Sequence, residues 1–355
     1  MIRKARQSNI ELLRVIAALG VIILHFNGRV FQCTAAADHN LLLAQVTEVL
    51  FIGAVDLFLI IFGFFQCEKE SVTLYKPLAL LAQVSLFKGA DYFLCCFLTN
   101  TPLSLAAFLQ WLVPTNYFVD TYVAVLLVSP YVNKLLNRLS YASFRKLIIV
   151  CAALFAILPC FVDQMYLRTG NAAYLVMSVV SDKGALDGYT FVNYLFMYLI
   201  GAFIRRRQKE KGSIPMRLAL LFFSAATFCE LGIMLLKRYL MIQYSMIYAY
   251  NSPFVIMMAV SAFLLFQQIN LGTKPFINRL AQATFIVYLA HPIILRYVPV
   301  ETFAEWSFPL FAASMAGTAV SIYGISFLLF LVVRLFGGFV GKWFSGTKLA
   351  NVLID

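Results

Sequence analysis

The sequence predicts an all-α, polytopic membrane protein: a bundle of about ten transmembrane helices with both termini in the cytoplasm. Three observations support this class. Of the 355 residues, 62% are hydrophobic and only 12% are charged, about half the charged fraction of an average soluble protein. Apolar runs of membrane-spanning length recur along the chain, and Lys and Arg are dense in every second connection between them.

A helix needs roughly 20 mostly apolar residues to cross a bilayer. The stretches that meet this requirement are 10–31, 43–66, 77–98, 117–137, 145–163, 190–206, 216–236, 248–269, 280–298 and 308–336. Residues 101–116 are too few and are bounded by prolines, which indicates a re-entrant or interfacial piece. We therefore expect one integral-membrane domain, 1–345, and a short cytoplasmic tail, 346–355, without an appended soluble domain.

The basic residues predict the orientation. With these ten spans, 20 of the 28 Lys and Arg fall on one side and six on the other, while Arg14 and Lys88 lie within spans. Cytoplasmic loops collect basic residues, so both termini are predicted to be cytoplasmic. The same rule accounts for the net charge of +12. The predicted partner is therefore the lipid bilayer, and no nucleic-acid partner is predicted. The seven cysteines form no CxxC or Cys/His cluster, so no metal site is predicted.

The first span carries a cation and an imidazole. In "NIELLRVIAALGVIILHFNG", residues 9–28, Arg14 and His25 lie eleven residues apart. Eleven residues make about three helical turns, so both side chains share one face, separated by roughly 16 Å along the axis. Arg14 is then near the cytoplasmic surface and His25 is deep toward the outer side. The structural alternative for Arg14 is snorkelling with an i,i+3 pair to Glu11.

Two more carboxylates lie in the second and third spans. Asp56 sits in the middle of "FIGAVDLFLIIFGFF", with no cation nearby in sequence. It is a candidate for orienting the His25 ring, or else it caps or braces a neighbouring helix. Lys88 and Asp91 are three residues apart, which predicts a structural ion pair between them.

Glu230 and His291 fall in the outer halves of the seventh and ninth spans. Ionisable residues in a membrane usually face a cavity or a partner, so both are candidates for lining the same cavity as His25. His291 has a structural alternative, because it precedes Pro292 and could satisfy a backbone group that the proline leaves free.

These residues lie in motifs that resemble a known family. The segment "NIELLRVIAALGVIILHF", with an Arg and a His separated by ten residues, is similar to the N-terminal signature of the membrane acyltransferase-3 family of bacterial O-acyltransferases. The blocks "GAVDLFLIIFGFF", "NYFVDTYVAVLLVSPYVNKLL", "YNSPFVIMMAVSAFLLF" and "TFIVYLAHPIIL" resemble the family's later motifs in the same order. Two departures stand out. Phe62 replaces a common Ser before Gly63, and Thr73 and Lys76 replace two Arg in the following loop.

The resemblance implies transfer of an acyl group, usually acetyl, from cytoplasmic acetyl-CoA to a hydroxyl of a glycan or small molecule, in a bacterial cytoplasmic membrane. It implies that His25 is the catalytic base and that Arg14 binds the CoA donor. Lys76 is a further candidate for the donor site. Tyr122 and Asn251, near outer helix ends, are candidates for contacting the substrate or the oxyanion.

Two other classes of function also explain buried charges. A transporter or flippase of a lipid-linked sugar or small polar solute would carry them along its pathway. Transporters often show paired halves with broken spans at matched positions, and this sequence shows no such pairing. A non-enzymatic membrane sensor gives no reason for Arg14 and His25 to share a face.

Overall fold

The structure is a computed structural model, and it describes residues 6–176, 186–241 and 247–344. Within these ranges all regular structure is helical, which confirms the all-α class. The α-helices are α1 Ser8–Val30, α2 Asp38–Phe51, α3 Ala54–Gln66, α4 Tyr75–Thr99, α5 Leu105–Leu112, α6 Tyr117–Arg138, α7 Tyr141–Ala152, α8 Leu158–Thr169, α9 Ala173–Val176, α10 Phe191–Lys211, α11 Met216–Leu240, α12 Pro253–Gln268, α13 Pro275–Gln282, α14 Thr284–Leu295, α15 Val300–Ala304 and α16 Phe308–Phe344. A π-helical turn, Ala153–Ile157, joins α7 to α8, and a 3₁₀ turn, Leu186–Gly188, precedes α10.

The described helices make this a multi-pass membrane protein. Six helical segments are long and apolar enough to cross a bilayer: Ser8–Val30, Asp38–Gln66, Tyr75–Thr99, Tyr141–Thr169, Met216–Leu240 and Phe308–Leu335. The bent pair α5 and α6 makes a seventh if it counts as one span. Helices α12 and α14 are apolar but shorter. The count of ten spans and the cytoplasmic termini therefore stay predictions, and the tail 346–355 lies outside the described residues.

Helix α1 is at the centre of the bundle. It packs against α2, α3 and α12 to α16, so it contacts helices from both halves of the chain. We call the end of the bundle where α1 begins, near Arg14, the proximal end. The opposite end, where Arg29 of α1 donates to the carbonyls of Leu295 and Val298, is the distal end.

The predicted second span is broken in the middle. Helix α2 ends at Phe51 and α3 begins at Ala54, with turn residues Ile52 and Gly53 between them. This break puts Asp56 in the first turn of α3. The first backbone N–H groups of a helix have no intrahelical acceptor and carry partial positive charge, which favours a carboxylate there. Asp56 therefore complements its own helix, a role that the reading of 43–66 as one continuous helix could not foresee.

Two glycines allow α3 and α10 to touch along their backbones. A Cβ atom added to Gly63 would lie 2.1 Å from the carbonyl oxygen of Tyr198, and one added to Gly201 would lie 2.2 Å from that of Ile60. Small residues at such crossings let membrane helices approach closely. This contact fixes α3, and with it Asp56 and Phe62, against α10.

The predicted ion pair between Lys88 and Asp91 is wrong. Lys88 donates instead to the carbonyl of Val113 at 2.8 Å and to the hydroxyl of Thr115 at 2.6 Å. Asp91 accepts two hydrogen bonds from Arg296, at 3.0 and 3.1 Å. The physical reason is the 47° break between α5 and α6. Carbonyl groups at the end of α5 lack donors within the helix, and the Lys88 ammonium donates to the carbonyl of Val113 there.

Candidate active site

The α1 face that carries Arg14 borders a cavity of about 510 Å³. The cavity opens at the proximal end and runs into the bundle between α1, α3, α4, α6 and α14. We call it the α1 cavity. Its lining residues are Arg6, Arg14, Val21, Val55, Phe58, Phe62, Phe65, Gln66, Lys69, Lys76, Leu80, Phe118, Val119, Tyr122, Thr284, Phe285 and Tyr288. The inner part is mostly aromatic and aliphatic, so polarity is concentrated at the opening.

The opening of the α1 cavity is basic. Its charged lining residues are Arg6, Arg14, Lys69 and Lys76, and this lining contains no carboxylate. Arg14 also contacts Glu11 at 3.4 Å, so the predicted i,i+3 pair exists. That pair leaves the guanidinium on the cavity wall. Four cations around one opening favour an anionic ligand, because arginine and lysine bind phosphate groups through charge-assisted hydrogen bonds.

Two histidines pack together beyond the inner part of the cavity. The rings of His25 and His291 have centroids 4.6 Å apart and are tilted by 59°. His25 is solvent-accessible, whereas His291 is buried with 1% of its surface exposed. The Nδ1 atom of His291 lies 3.2 Å from the Val287 carbonyl oxygen. A carbonyl oxygen only accepts, so this contact requires a proton on Nδ1 and leaves Nε2 of the neutral ring as an acceptor.

Tyr288 connects the histidine pair to the α1 cavity. Its ring centroid lies 5.7 Å from that of His291, and the tyrosine itself lines the cavity. Its hydroxyl donates to Oδ1 of Asn116 at 2.9 Å. Asn116 caps α6, since its side chain accepts from the backbone N–H of Val119. Tyr288 therefore contacts both the α1 cavity and the histidine pair.

The other predicted polar residues lie apart from this arrangement. Asp56 is fully buried, and the side chain of Asn193 on α10 is its polar neighbour. The titratable group seen to contact the His25 ring is His291, so the orienting role of Asp56 stays a prediction. Glu230 is also fully buried and accepts from the backbone N–H of Tyr248 at 3.3 Å. Asn251 is buried near the start of α12, and it does not line the α1 cavity.

Sequence comparison identifies the family. A family model for an acyltransferase domain, acyltransferase-3, matches residues 7–333. The chain belongs to the acyltransferase-3 family. Searches of curated proteins and of solved structures found no match. The family match covers both histidines and three of the four cations at the opening. Arg6 lies one residue before the match.

The resemblance to the acyltransferase-3 family led us to expect a Ser at position 62, and the structure shows where the larger Phe62 side chain lies. The Phe62 ring lines the α1 cavity and lies 4.6 Å from the Tyr122 ring and 5.2 Å from the Tyr198 ring, measured between centroids. A Ser at this position would leave more room. Tyr122, predicted from its place near an outer helix end, lies on the cavity wall beside Phe62.

Sequence reasoning missed Tyr288 and Asn116 in this acyltransferase-3 protein. Tyr288 is three residues before His291 in "TFIVYLAHPIIL", so helical spacing places both on one face. That signal was present in the sequence. The contact between Tyr288 and Asn116 joins residues 172 positions apart and had no local signal. Among the residues that the structure describes, no group of three or more His, Cys, Asp or Glu is placed to hold a metal ion.

Proposed function

We propose that this membrane acyltransferase moves an acyl group from acyl-CoA to a hydroxyl of a glycan or another cell-envelope acceptor. Family membership supports acyl transfer over transport of a lipid-linked sugar or small solute. One observation carries the choice of donor: a cavity with four cations at its opening extends along α1 to Tyr288, whose ring packs on His291 of the histidine pair. Acyl-CoA has phosphates at one end and a thioester at the other, so it matches both ends of this path.

The proposal places the proximal end in the cytoplasm. Basic residues concentrate on the side of the predicted topology that holds Arg14, Lys69 and Lys76, and acyl-CoA is a cytoplasmic metabolite. Arg14 and Lys76 then bind donor phosphates, and the apolar cavity beyond them receives the pantetheine arm. The membrane is the bacterial cytoplasmic membrane, and the acyl group is acetyl, as in most family members.

The chemistry uses neutral imidazole. His25 takes the proton of the acceptor hydroxyl as its oxygen attacks the thioester carbonyl carbon. The C–S bond breaks, and the CoA thiolate takes the proton from the His25 imidazolium. The products are an ester and free CoA-SH, and His25 returns to its neutral form. During the step, the lone pair on His291 Nε2 stabilises the imidazolium next to it.

The acceptor approaches from the distal end, because the donor fills the proximal opening. Tyr122 is the candidate for the oxyanion donor, since its ring lies on the wall of the α1 cavity between the cations and Tyr288. Asn251 stays a candidate contact for the acceptor at the start of α12. Asp56 and Glu230 are buried carboxylates without contact to the His25 ring, and they rank behind His291 as partners of the base.

The decisive experiment measures CoA release from acetyl-CoA by purified protein in lipid nanodiscs, with an envelope glycan extract as acceptor. His25→Ala should lower transfer by about 10²–10⁴-fold, the usual contribution of a general base. Acetyl-CoA binding to the same variant should be retained. The wild-type rate should fall when the pH is lowered far enough to protonate His25, because only the neutral ring accepts a proton.

His39→Ala is the matched control, because His39 is exposed in the first turn of α2 and contacts only the ring of Phe308 among the described aromatic residues. It should transfer at the wild-type rate. Normal turnover by His25→Ala would overturn the mechanism. Glycan movement across the bilayer without CoA release would support the transporter instead.

A further inference from the structure

A second cavity adjoins the α1 cavity at the proximal end. It has a volume of about 420 Å³ and lies between the start of α1, the end of α10 and the connection after α12. Arg6 lines both cavities, so the two cavities adjoin at this residue. Its lining includes Arg6, Arg205 and six Asn or Gln side chains, and it contains no carboxylate. We call it the amide pocket.

Three of the amides are already used by the fold. Asn9 donates to the carbonyl of Phe266 at 2.7 Å, and Gln268 donates to that of Leu264 at 3.1 Å. Asn270 accepts from the backbone N–H of Gly272 at 3.1 Å and closes a turn. These three side chains help to fix the wall of the amide pocket.

Two other amides have unused atoms. Oε1 of Gln208 and Nε2 of Gln267 are buried and form no hydrogen bond with any residue that the structure describes. A buried polar atom without a partner is unfavourable. Rotating either side-chain amide toward the cavity breaks no hydrogen bond made by Oε1 of Gln208 or by Nε2 of Gln267. The amide pocket therefore offers one unused acceptor and one unused donor to a ligand.

Both arginines of the amide pocket pair with a carboxylate, but only Arg6 also lines the basic opening. Arg205 donates to Glu68 at 2.7 Å and lies 5.2 Å from the centre of the Phe64 ring. The hydrogen bonds from Arg205 and Lys209 lower the pKa of Glu68 to about 2, so Glu68 stays ionised at neutral pH and offsets the charge of Arg205. Arg6 lies 3.6 Å from Glu11 and is the cation shared with the basic opening. Phosphate binding is therefore expected at Arg6, next to the opening.

An unused donor and an unused acceptor in one pocket are the two groups that an edge of adenine requires. Adenine presents its N6 amino group as a donor beside a ring nitrogen acceptor, and Gln or Asn side chains bind this pair. Hypoxanthine has a carbonyl oxygen in place of the amino group and lacks that donor. An adenine in the amide pocket would direct its phosphates toward Arg6.

From these observations we propose that the amide pocket binds the adenine nucleotide end of the acyl donor, with Gln208 and Gln267 contacting the base and Arg6 contacting a phosphate. The inference rests on the proposed function, which supplies an acyl-CoA donor. It adds a base-reading site separate from the four-cation opening, and it divides donor binding into an adenine part and a thioester part.

The test uses the full-length protein in nanodiscs and adenosine 3′,5′-bisphosphate as the probe, with binding measured by calorimetry. The wild type should bind this probe more tightly than the inosine analogue. Gln208→Leu and Gln267→Leu should each weaken adenosine bisphosphate binding about tenfold, as expected for losing a hydrogen bond, and should remove the preference over inosine. Gln83→Leu is the control, because Gln83 bonds its own helix at the Ala79 carbonyl and lines neither cavity.

A second measurement separates this inference from the proposed function. Acetyl-pantetheine carries the thioester without the nucleotide. Transfer from it should be equal in the wild type, Gln208→Leu and Gln267→Leu, whereas the KM for acetyl-CoA should rise in the two variants. Unchanged adenosine bisphosphate binding in both variants would overturn the amide pocket. If the wild type transfers an acetyl group from neither acetyl-CoA nor acetyl-pantetheine, the proposed function is contradicted instead.

Discussion

His291 packs against His25, with ring centroids 4.6 Å apart. We predict that His291→Phe, which keeps a ring but removes Nε2, lowers kcat about 10–100-fold with little change in the KM for the donor. Nε2 of His291 is buried and forms no hydrogen bond with a described residue, so it can accept from the imidazolium formed during turnover. A hydrogen bond to a charged group contributes about 1.5–3 kcal/mol. Steady-state kinetics on monodisperse protein checks it. A rise in the KM for the donor as large as the fall in kcat would instead show that His291 serves the packing of α14.

Arg14 has both a structural partner and a cavity to face. We predict that Arg14→Ala raises the KM for acyl-CoA about 10–100-fold, and that Arg14→Lys recovers only part of the loss, because an ammonium cannot bind phosphate with the two-pronged geometry of a guanidinium. Direct binding of acyl-CoA gives the same comparison without turnover. Glu11→Gln is the matched test of the structural alternative. If it weakens donor binding as much as Arg14→Ala does, the Glu11 pair alone explains Arg14.

At the scale of elements, the contact between α3 and α10 depends on Gly63 and Gly201. We predict that Gly63→Ala and Gly201→Ala each lower the free energy of unfolding by about 1–3 kcal/mol, because the added methyl group meets backbone that cannot move aside. Thermal unfolding in detergent measures the change. Gly232→Ala is the control, since a Cβ there meets nothing within 4 Å and alanine favours a helix. Equal melting temperatures for all three variants would contradict the close helix contact.

At the scale of the whole molecule, the orientation of the bundle decides which substrate enters from which side. We predict that a cysteine placed at Lys211, at the end of α10, is labelled only from the cytoplasm. A cysteine at Asn171, after α8, should be labelled only from outside. The background for both would lack the seven native cysteines. The opposite labelling would place the basic opening outside the cell, away from acyl-CoA, and would refute the donor assignment.

The sequence predicted what depends on composition and helical repeat. Low charge and repeated apolar runs predicted a multi-pass helical protein, and the family motifs predicted the acyltransferase-3 family; both are confirmed. The eleven-residue interval between Arg14 and His25 placed them on one face because a helix repeats every 3.6 residues. Helix α1 runs without a break from Ser8 to Val30, so the local rule holds there.

Tertiary structure alone decided which side chains meet. His25 and His291 are 266 residues apart, and the partners of Lys88 and Asp91 are 25 and 205 residues away. Short-range spacing paired Lys88 with Asp91, but a bent connection offered the lysine unpaired carbonyls and Arg296 took the carboxylate. Periodicity describes one helix at a time, whereas a cavity is the space left between several. The basic opening, the histidine pair and the amide pocket exist only because separate helices pack in this arrangement.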